Sequence, residues 1–365
     1  MAKGTRIIKS IGIALNIFVA AMLLISAYAG CINPSSLAIS ATINMSFPIW
    51  ISVALIVLII DILTYRKMAF IPLSAFILSA GPLYNYSPFN ISTKQLSRSE
   101  KFHSFKLLTY NVLNFKNRKG NYPNDTNPTI SYILSTDADI VCLQECEYFQ
   151  PLEQFNVAAT QIDSLRQRYP HRWIGTSGQS ILSKFPITPI NLGIDDDDKR
   201  DIAAYLVEAN NRILTVYNVH LRSFGFTGED KQFYNDLTTF SGKEEFSQVK
   251  PKLISKLNAA ARHRARQARL LKAHIDKTGG NIIVCGDFND TPNCYAIRTI
   301  SGDCMHDAYV ENAFGPTITY NADRFYFRID HVLYKGALEA VNIERGSQDY
   351  SDHYPLLTTF LWQEN

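Results

Sequence analysis

The sequence predicts an α/β domain, built of short strands and helices, that follows an apolar N-terminal region. Apolar runs bounded by turn residues recur from Phe105 to the C-terminus, as expected for the strands of packed sheets. Three longer apolar runs occupy the first 90 residues. These patterns divide the chain into a membrane region (residues 1–90), a polar linker (91–104) and a strand-rich domain (105–365).

The apolar runs of the N-terminal region are Ile11 to Gly30, Phe47 to Leu63 and Met68 to Tyr84. A helix needs about 20 apolar residues to cross the hydrocarbon core of a bilayer, so the first two runs predict transmembrane helices. The third run is short and contains Pro72 and Pro82. It is compatible with a third span, with a helix along the membrane surface or with a re-entrant helix.

Charges beside the apolar runs predict the orientation, because basic residues next to a span tend to remain cytoplasmic. Three basic residues precede the first run: Lys3, Arg6 and Lys9. The loop after that run has no basic residue, and Arg66 and Lys67 lie between the second and third runs. If the third run crosses the bilayer, the chain is an integral membrane protein whose strand-rich domain is extracytoplasmic.

Two other interpretations of the N-terminal region compete with membrane spans. The basic start, the first apolar run and Ala27-Tyr28-Ala29 resemble a cleaved signal peptide, although the later runs would remain after cleavage. The runs also fit core helices of a protein without a membrane region, which their near lack of charge disfavours. Membrane attachment is therefore the prediction, with the lipid bilayer as a partner.

Alternating elements in the C-terminal domain predict sheets packed together with helices outside them. The predicted strands are Lys106 to Val112, Ile140 to Gln144, Ile202 to Glu208, Ile213 to Val219, Asn281 to Cys285 and His331 to Tyr334. Helical patterns cover Pro128 to Leu134 and Pro251 to Lys277. The formal charge of +3, from 36 basic and 33 acidic residues, indicates no general electrostatic attraction to nucleic acid.

Polar side chains of the kinds used in catalysis stand at the ends of these strands. They are Asn111, Glu145, His220, Asp287, Asn289 and Asp330, and Asp352 and His353 precede the last apolar run. Each of them alone has an ordinary explanation as a turn former or a surface residue. Because strand ends in α/β folds meet at a common rim, their repetition predicts a single site.

The side chains of this site suit a hard divalent cation and proton transfer. Carboxylate and amide oxygens favour Mg²⁺, with Mn²⁺ or Ca²⁺ as alternatives, and Asn111, Glu145 and Asp352 are the predicted ligands. The six cysteines show no C-x-x-C spacing of a zinc site. His353 is the predicted base that activates water, with Asp330 orienting its ring, and His220 is the predicted acid.

Seven blocks occur in the order found in a known family. The blocks are Thr109-Tyr110-Asn111-Val112, Cys142-Leu143-Gln144-Glu145, Ile181 to Ile187, Asn218-Val219-His220-Leu221, Gly286-Asp287-Phe288-Asn289, Arg328-Ile329-Asp330 and Ser351-Asp352-His353. Together they resemble the endonuclease/exonuclease/phosphatase superfamily over roughly residues 105 to 362. The Val-His-Leu block is similar to that of pancreatic deoxyribonuclease and the neutral sphingomyelinases, and it disfavours a DNA repair enzyme.

The resemblance implies a four-layer α/β/β/α sandwich and metal-dependent hydrolysis of a phosphodiester or phosphomonoester. It assigns Asp287 and Asn289 to transition-state contacts, beside the acid/base pair of His220 and His353. The implied substrates are a nucleic acid, a nucleotide, a phospholipid head group or an inositol phosphate, and no obligate protein partner is implied. The alternative is a non-catalytic membrane receptor for a phosphorylated ligand, which would not need an intact acid/base pair.

Three polar segments outside these blocks have competing interpretations. The basic helical stretch from Ala261 to Gln267 either supplies a phosphate-binding arginine or forms a solvated face. The segment from Ser223 to Gln248 is either a substrate-selecting lid or a flexible loop. The acidic run from Asp195 to Asp198 is interpreted as an exposed loop rather than a calcium site.

Overall fold

A computed structural model of the chain describes residues 2–91, 96–118, 120, 126–146, 159–175, 178–193, 201–225, 227–228, 230, 246–322 and 326–364. The N-terminal region is a bundle of helices. They are α1 (Ala2–Tyr28), α2 (Ile39–Met45), α3 (Phe47–Thr64), α4 (Phe70–Leu78) and α5 (Ala80–Tyr86). A short 3-10 turn, Ala29–Cys31, follows α1.

Two segments of this bundle, Lys9–Cys31 and Phe47–Thr64, are long and apolar enough to cross a membrane. The third apolar run instead forms two short helices, α4 and α5, with a break at Ser79. Pro82 has no N–H to donate to the Leu78 carbonyl four residues earlier. The Tyr28 hydroxyl donates to that carbonyl at 2.5 Å, so the freed acceptor is satisfied by α1.

The bundle buries small and aliphatic side chains at its centre and leaves many apolar ones on its outside. Leu23, Ala27 and Ala54 are fully buried. By contrast, the side chains of Leu63 and Phe70 are 78% and 70% exposed. An apolar exterior of this kind marks a surface that contacts something other than water.

The C-terminal domain contains two six-stranded sheets. Sheet one has the order β11-β12-β1-β2-β4-β3, and sheet two has the order β5-β6-β7-β8-β10-β9. The strands are β1 (Ser104–Asn111), β2 (Ile140–Gln144), β3 (His171–Trp173), β4 (Ser180–Ser183), β5 (Ile187–Ile190), β6 (Ile202–Ala209), β7 (Arg212–His220), β8 (Asn281–Asp287), β9 (His306–Asp307), β10 (Asp330–Lys335), β11 (Leu338–Arg345) and β12 (Leu356–Trp362). Strands β1 and β2 pair in parallel, as do β7 and β8.

Helices cover the outer face of each sheet, which gives the four-layer α/β/β/α sandwich that the sequence predicts. The helices are α6 (Arg98–Phe102), α7 (Pro128–Thr136), α8 (Ala159–Arg168), α9 (Phe246–Thr278), α10 (Tyr295–Ser301) and α11 (Ala308–Asn312). Ile133 and Leu165 of α7 and α8 pack on sheet one, whereas Leu271 and Ile297 of α9 and α10 pack on sheet two. The inner faces of the two sheets meet in a separate core around Phe105.

The helical bundle docks on the C-terminal domain at one end. The 3-10 turn after α1 packs on α10, and α2 packs on α9. After α5, the Asn90 side chain donates to the carbonyls of Val310 and Ala313, each at 2.9 Å. The polar segment predicted as a linker contains α6, which begins with a reciprocal pair of hydrogen bonds between Ser97 and Glu100.

Candidate active site

The site lies at one edge of the sandwich, where strand ends from both sheets converge. Asn111 ends β1, and Glu145 directly follows β2. In sheet two, His220 ends β7 beside Asp287, which ends β8. Strand β10 runs antiparallel to β8 with Asp330 opposite Asp287, so its first residue reaches the same edge. The parallel pairs therefore bring their carboxyl ends to the rim where the sequence predicts a site.

One carboxylate oxygen, Asp287 Oδ2, is the centre of the cluster. It lies 3.2 Å from Asn111 Nδ2, 3.6 Å from His220 Nε2 and 3.5 Å from His353 Nε2. Asn111 Nδ2 also donates to Glu145 Oε1 at 3.1 Å. His220 Nε2 is 3.8 Å from the same glutamate oxygen. Two imidazoles and two carboxylates thus face one small volume.

His353 and Asp330 form a buried pair on the far side of that volume. His353 Nδ1 lies 2.8 Å from Asp330 Oδ2, and both residues are almost completely buried. Burial by itself lowers the pKa of His353, but the carboxylates of Asp330 and Asp287 outweigh it and raise that pKa to about 10. The imidazole is therefore protonated at neutral pH in this arrangement.

Asp287 is a carboxyl group with a raised pKa. Burial raises the pKa of its carboxyl group to about 6, with the charge of Asp330 adding to the rise. The two histidines and the backbone N–H of Asn289, which donates to Oδ1 at 2.8 Å, act in the opposite direction. Perturbed carboxyl and imidazole groups in one cluster are a feature of functional sites.

Two hydroxyl groups that the sequence analysis did not assign hold these side chains. Ser351 Oγ donates to the Asn111 carbonyl at 2.7 Å and accepts the N–H of His353 at 3.3 Å. Thr319 Oγ1 accepts the backbone N–H groups of Ile329 and Asp330, at 2.9 and 3.0 Å. Ser351 belongs to a recognised block, whereas no pattern in the sequence marks Thr319.

A buried polar network also joins the two sheets beneath the site. Gln144 Nε2 donates to Asn218 Oδ1 at 2.6 Å and to Thr109 Oγ1 at 3.1 Å. Asn218 Nδ2 donates to the carbonyls of Leu143 and Ser180. Polar side chains inside apolar strands are a signal that could have identified this network. It links β2 to β7 directly under Glu145 and His220.

The backbone near the site adopts conformations that few residues favour. Glu145 and Asn289 have φ angles of 48° and 51°, in the left-handed region. Gly286, with φ of 137°, lies so close to β7 that a Cβ atom would sit 2.0 Å from the Val219 carbonyl oxygen. Only glycine therefore permits the register that sets Asp287 beside His220.

The remaining predicted site residues lie at the margin of the cluster. Asn289 Nδ2 donates to the Leu221 carbonyl at 2.9 Å, which directs its side chain towards the end of β7. Asp352 is half-buried, its Oδ1 lies 3.3 Å from Ser351 Oγ, and its charge adds to the rise in the pKa of His353. Among described residues, Asp287, Asp330 and His353 are the group whose ligand atoms lie within 4.8 Å of one another.

Glu145 and Asp287 are two carboxylates that could hold a cation together. Their carboxylate oxygens converge on the same Asn111 Nδ2, at 3.1 and 3.2 Å, so the amide group already supplies partial positive charge there. Asn111 Oδ1 accepts the N–H of Leu113 at 3.2 Å, an amide orientation that is assigned from hydrogen bonding. The donor set, oxygen without cysteine, suits Mg²⁺, Mn²⁺ or Ca²⁺.

Of the three polar segments with competing interpretations, the structure describes the basic helical stretch but little of the other two. Arg264 is neither solvated nor free to bind phosphate, because it is buried and its Nε lies 3.0 Å from Asp290 Oδ2. Its guanidinium also donates to the Arg222 carbonyl and lies over the Phe224 ring. Most of the predicted lid, 223–248, and the acidic run at 195–198 lie outside the described residues.

Known sequence families match both the C-terminal domain and the N-terminal region of the chain. The sequence pattern of the Endonuclease/Exonuclease/phosphatase family matches residues 108–353, and that of a domain of unknown function matches residues 6–86. No curated protein matches.

Similar solved structures include proteins from three bacteria. An endonuclease/exonuclease/phosphatase from Beutenbergia cavernae has 14% identity, a TM-score of 0.46 and 72% of each chain covered. One from Bacteroides vulgatus has 17% identity and a TM-score of 0.44, with 71% of this chain and 99% of that chain covered. Sphingomyelinase C from Streptomyces griseocarneus has 17% identity and a TM-score of 0.40, with 70% and 99% covered.

Proposed function

This chain belongs to the endonuclease/exonuclease/phosphatase family, and on that premise we propose that it hydrolyses a phosphodiester or phosphomonoester by metal-assisted attack of water. Members of the family hydrolyse phosphoester bonds and generally use divalent metal ions, so the chain is an enzyme of that class. The metal-dependent mechanism, the residue roles and the membrane location that follow are our proposal.

The observation that carries this proposal is the position of Asp287 Oδ2 between two imidazoles. Nε2 of His220, at the end of β7, and Nε2 of His353, in the segment before β12, lie 3.6 and 3.5 Å from it. One imidazole can accept the proton of the attacking water while the other donates to the leaving oxygen. A receptor that only binds a phosphorylated ligand does not need such a pair.

We assign the base to His353 and the acid to His220. Asp330 fixes the ring of His353 through Nδ1, which leaves Nε2 facing the cluster. His220 is the more accessible of the two, with 22% of its side chain exposed against 4% for His353. That accessibility suits a group that meets the departing part of a substrate. Asp287 and Asn289 would orient water and the phosphoryl group.

Glu145 and Asp287 would hold the metal ion, joined by Asn111 when its amide turns Oδ1 towards them, with Asp352 at the margin. When bound, a divalent cation neutralises charge on phosphate oxygens and on the leaving oxygen. Glu145 would be the ligand that a metal ion meets first from the solvent, since 32% of its side chain is exposed whereas Asp287 is buried. The base role of His353 requires that the negative charge around it be offset in the working state, because that charge keeps its pKa near 10.

We also propose that α1 and α3 cross a membrane and that the helical bundle anchors the enzyme. Two segments of sufficient length and the apolar exterior of the bundle support this. Asn16 Nδ2 lies 3.4 Å from Asp61 Oδ1 inside the bundle, so the one acidic side chain of α3 faces a partner and not the lipid. Met68, two residues after Arg66, lies near Gly12 in the first half of α1, whereas Gly30 after the other end of α1 contacts the C-terminal domain; this supports the extracytoplasmic placement predicted from the charges.

The substrate class remains the set implied by the family: nucleic acid, nucleotide, phospholipid head group or inositol phosphate. The test is hydrolysis of a soluble chromogenic phosphodiester by the full chain in detergent micelles, with and without Mg²⁺. His353→Ala should abolish the metal-dependent rate, whereas His263→Ala, at an exposed position on α9, should retain it. A wild-type chain that is folded and binds Mg²⁺, yet hydrolyses no member of a phosphoester panel, would favour the receptor alternative.

A further inference from the structure

The loop that carries Asp287 and Asn289 continues into residues that face the helical bundle. Asn293 is buried, and its Nδ2 donates to the Pro82 carbonyl of α5 at 2.9 Å. Asn85 Nδ2 of the same helix donates to Asn293 Oδ1 at 3.2 Å. The side chain of Asn293 is therefore bonded on both ends by one helix of the N-terminal region. This segment, Asp287 to Asn293, is called the catalytic loop below.

The backbone of the catalytic loop is in direct contact with the 3-10 turn after α1. Gly30 is buried, and a Cβ atom on it would lie 1.8 Å from the Asn293 carbonyl oxygen and 2.9 Å from its carbonyl carbon. Because the contact is with backbone atoms, no rotation of a side chain can relieve it. Glycine at this position permits the close approach of the two parts.

A second connection runs from the bundle to Asp330. Arg328 is buried two residues before it, and its Nη2 donates to the Asn85 carbonyl in the last turn of α5 at 2.9 Å. Such carbonyls at a helix C-terminus lack partners within the helix and attract cations. The same guanidinium pairs with Asp307 at 3.0 Å and lies over the Tyr309 ring.

His331 contacts both Arg328 and the catalytic loop. Its Nδ1 lies 3.2 Å from Arg328 Nη1, and its Nε2 lies 3.2 Å from the Asp290 carbonyl of the catalytic loop. With Nδ1 accepting from the guanidinium, Nε2 carries the proton and donates to that carbonyl. The neighbouring carboxylate of Asp290 is paired with Arg264 of α9. The catalytic loop thus contacts four elements: α5, the 3-10 turn after α1, β10 through His331 and α9 through Arg264.

We propose that the N-terminal helices are part of the catalytic apparatus: through Gly30, Asn85 and Pro82 they position the catalytic loop and Asp330. These residues touch no reacting group, so they act through Asp287, Asn289 and the Asp330–His353 pair. This inference rests on the proposed function and extends it, since it makes the turnover of a soluble substrate depend on contacts with the membrane region. A displacement of about 1 Å at reacting groups can cost on the order of a hundredfold in rate.

The test compares Gly30→Ala with Gly12→Ala in the full chain, using the soluble phosphodiester and Mg²⁺. Both variants add one methyl group to the N-terminal region, but the Cβ on Gly12 in α1 would meet only the Met68 side chain, at 3.5 and 3.6 Å. Gly30→Ala should lower kcat by about 10- to 100-fold with little change in KM, because mispositioning weakens the transition state more than substrate binding. Gly12→Ala should keep the wild-type kcat. Equal kcat values for the two variants would overturn the inference.

A milder pair covers the case in which Gly30→Ala does not fold, as judged by its thermal unfolding midpoint. Asn85→Ala removes one bond to Asn293 without adding volume, and Asn342→Ala removes one side-chain bond to Glu344 on β11. Asn85→Ala should lower kcat about three- to tenfold at unchanged KM, in line with loss of one bond of about 1 kcal/mol. A kcat equal to that of Asn342→Ala would then reject the inference. A wild-type chain without hydrolysis would instead reject the proposed function.

Discussion

Replacement of Asp330 by asparagine tests the acid/base assignment most directly. The substitution keeps the size of the side chain and removes the charge 2.8 Å from His353 Nδ1. His353 also faces Asp287 at 3.5 Å, so its imidazole lies between two buried carboxylates. Loss of one of the two charges should change both the protonation and the orientation of the imidazole.

The expected change in the pKa of His353 follows from its distances to Asp330 and Asp287. A rise in the pKa of His353 from 6.5 to about 10 corresponds to roughly 5 kcal/mol in favour of the protonated ring. At an effective dielectric constant of about 20, charges at these two distances attract by about 6 and about 5 kcal/mol, and burial opposes them. Without Asp330, the remaining attraction and the burial penalty nearly cancel. The pKa of His353 should therefore return to the vicinity of its ordinary value.

The assay is the pH dependence of kcat for the soluble phosphodiester at saturating Mg²⁺. Asp330→Asn should lower kcat by about 10²- to 10⁴-fold, since the ring loses the partner that orients it for proton transfer. The acid limb of the profile should also move to lower pH, because the proton on His353 is held less tightly. Asp163→Asn, at an exposed position on α8, is the control.

Two results would refute this reasoning. A kcat within about threefold of the wild type would mean that His353 is not the base or does not need Asp330. A large loss of kcat with an unmoved acid limb would mean that another group sets the profile. Either outcome would turn attention to His220, the second imidazole beside Asp287.

Two further predictions concern the metal and the stability of the fold. Glu145→Gln should raise the Mg²⁺ concentration for half-maximal rate at least about tenfold. Glu208→Gln, at an exposed position of β6, should leave it unchanged, and titration of the rate with Mg²⁺ measures both. Burial raises the pKa of Asp307, but the charge of the Arg328 guanidinium outweighs it and holds that pKa below its usual range. Asp307 therefore stabilises the fold above about pH 4, its unfolded value, and this contribution is lost as the pH falls further. Asp307→Asn should lower the free energy of unfolding by about 3 to 5 kcal/mol at pH 7 and flatten its fall below pH 4; an unchanged unfolding midpoint would contradict this.

The strands and helices with strong patterns were predictable from the sequence. Strand β2 begins and ends at Ile140 and Gln144, as predicted, because five consecutive apolar or buried positions are bounded by acidic residues. The long amphipathic helix α9 was placed within a few residues. Short edge strands such as β3 and β9 were missed, since two or three residues are too few to show a period of two.

The third apolar run is broken near a proline, and the carbonyl that this proline leaves without a partner is bonded by a distant part of the chain. Pro72 and Pro82 made the run ambiguous, and the structure divides it into α4 and α5. The carbonyl that Pro82 leaves without a partner is satisfied only because Tyr28 comes from another helix. No pattern within the run itself contains that information.

For the site, the sequence by itself determined which residue types stand at the strand ends, because the end of an apolar run and the polar residue after it are local. It did not determine which atoms face each other. The meeting of Asp287 with His220 and His353 depends on the packing of two sheets and on the close approach that Gly286 permits.

The contact of Gly30 with the Asn293 backbone was equally out of reach of the sequence. The two residues lie in segments that follow different rules of composition, one apolar and one rich in turn residues. Only the tertiary structure brings the membrane region against the catalytic loop, since contacts between distant segments are selected by shape and hydrogen bonding over the whole fold and not by any local preference.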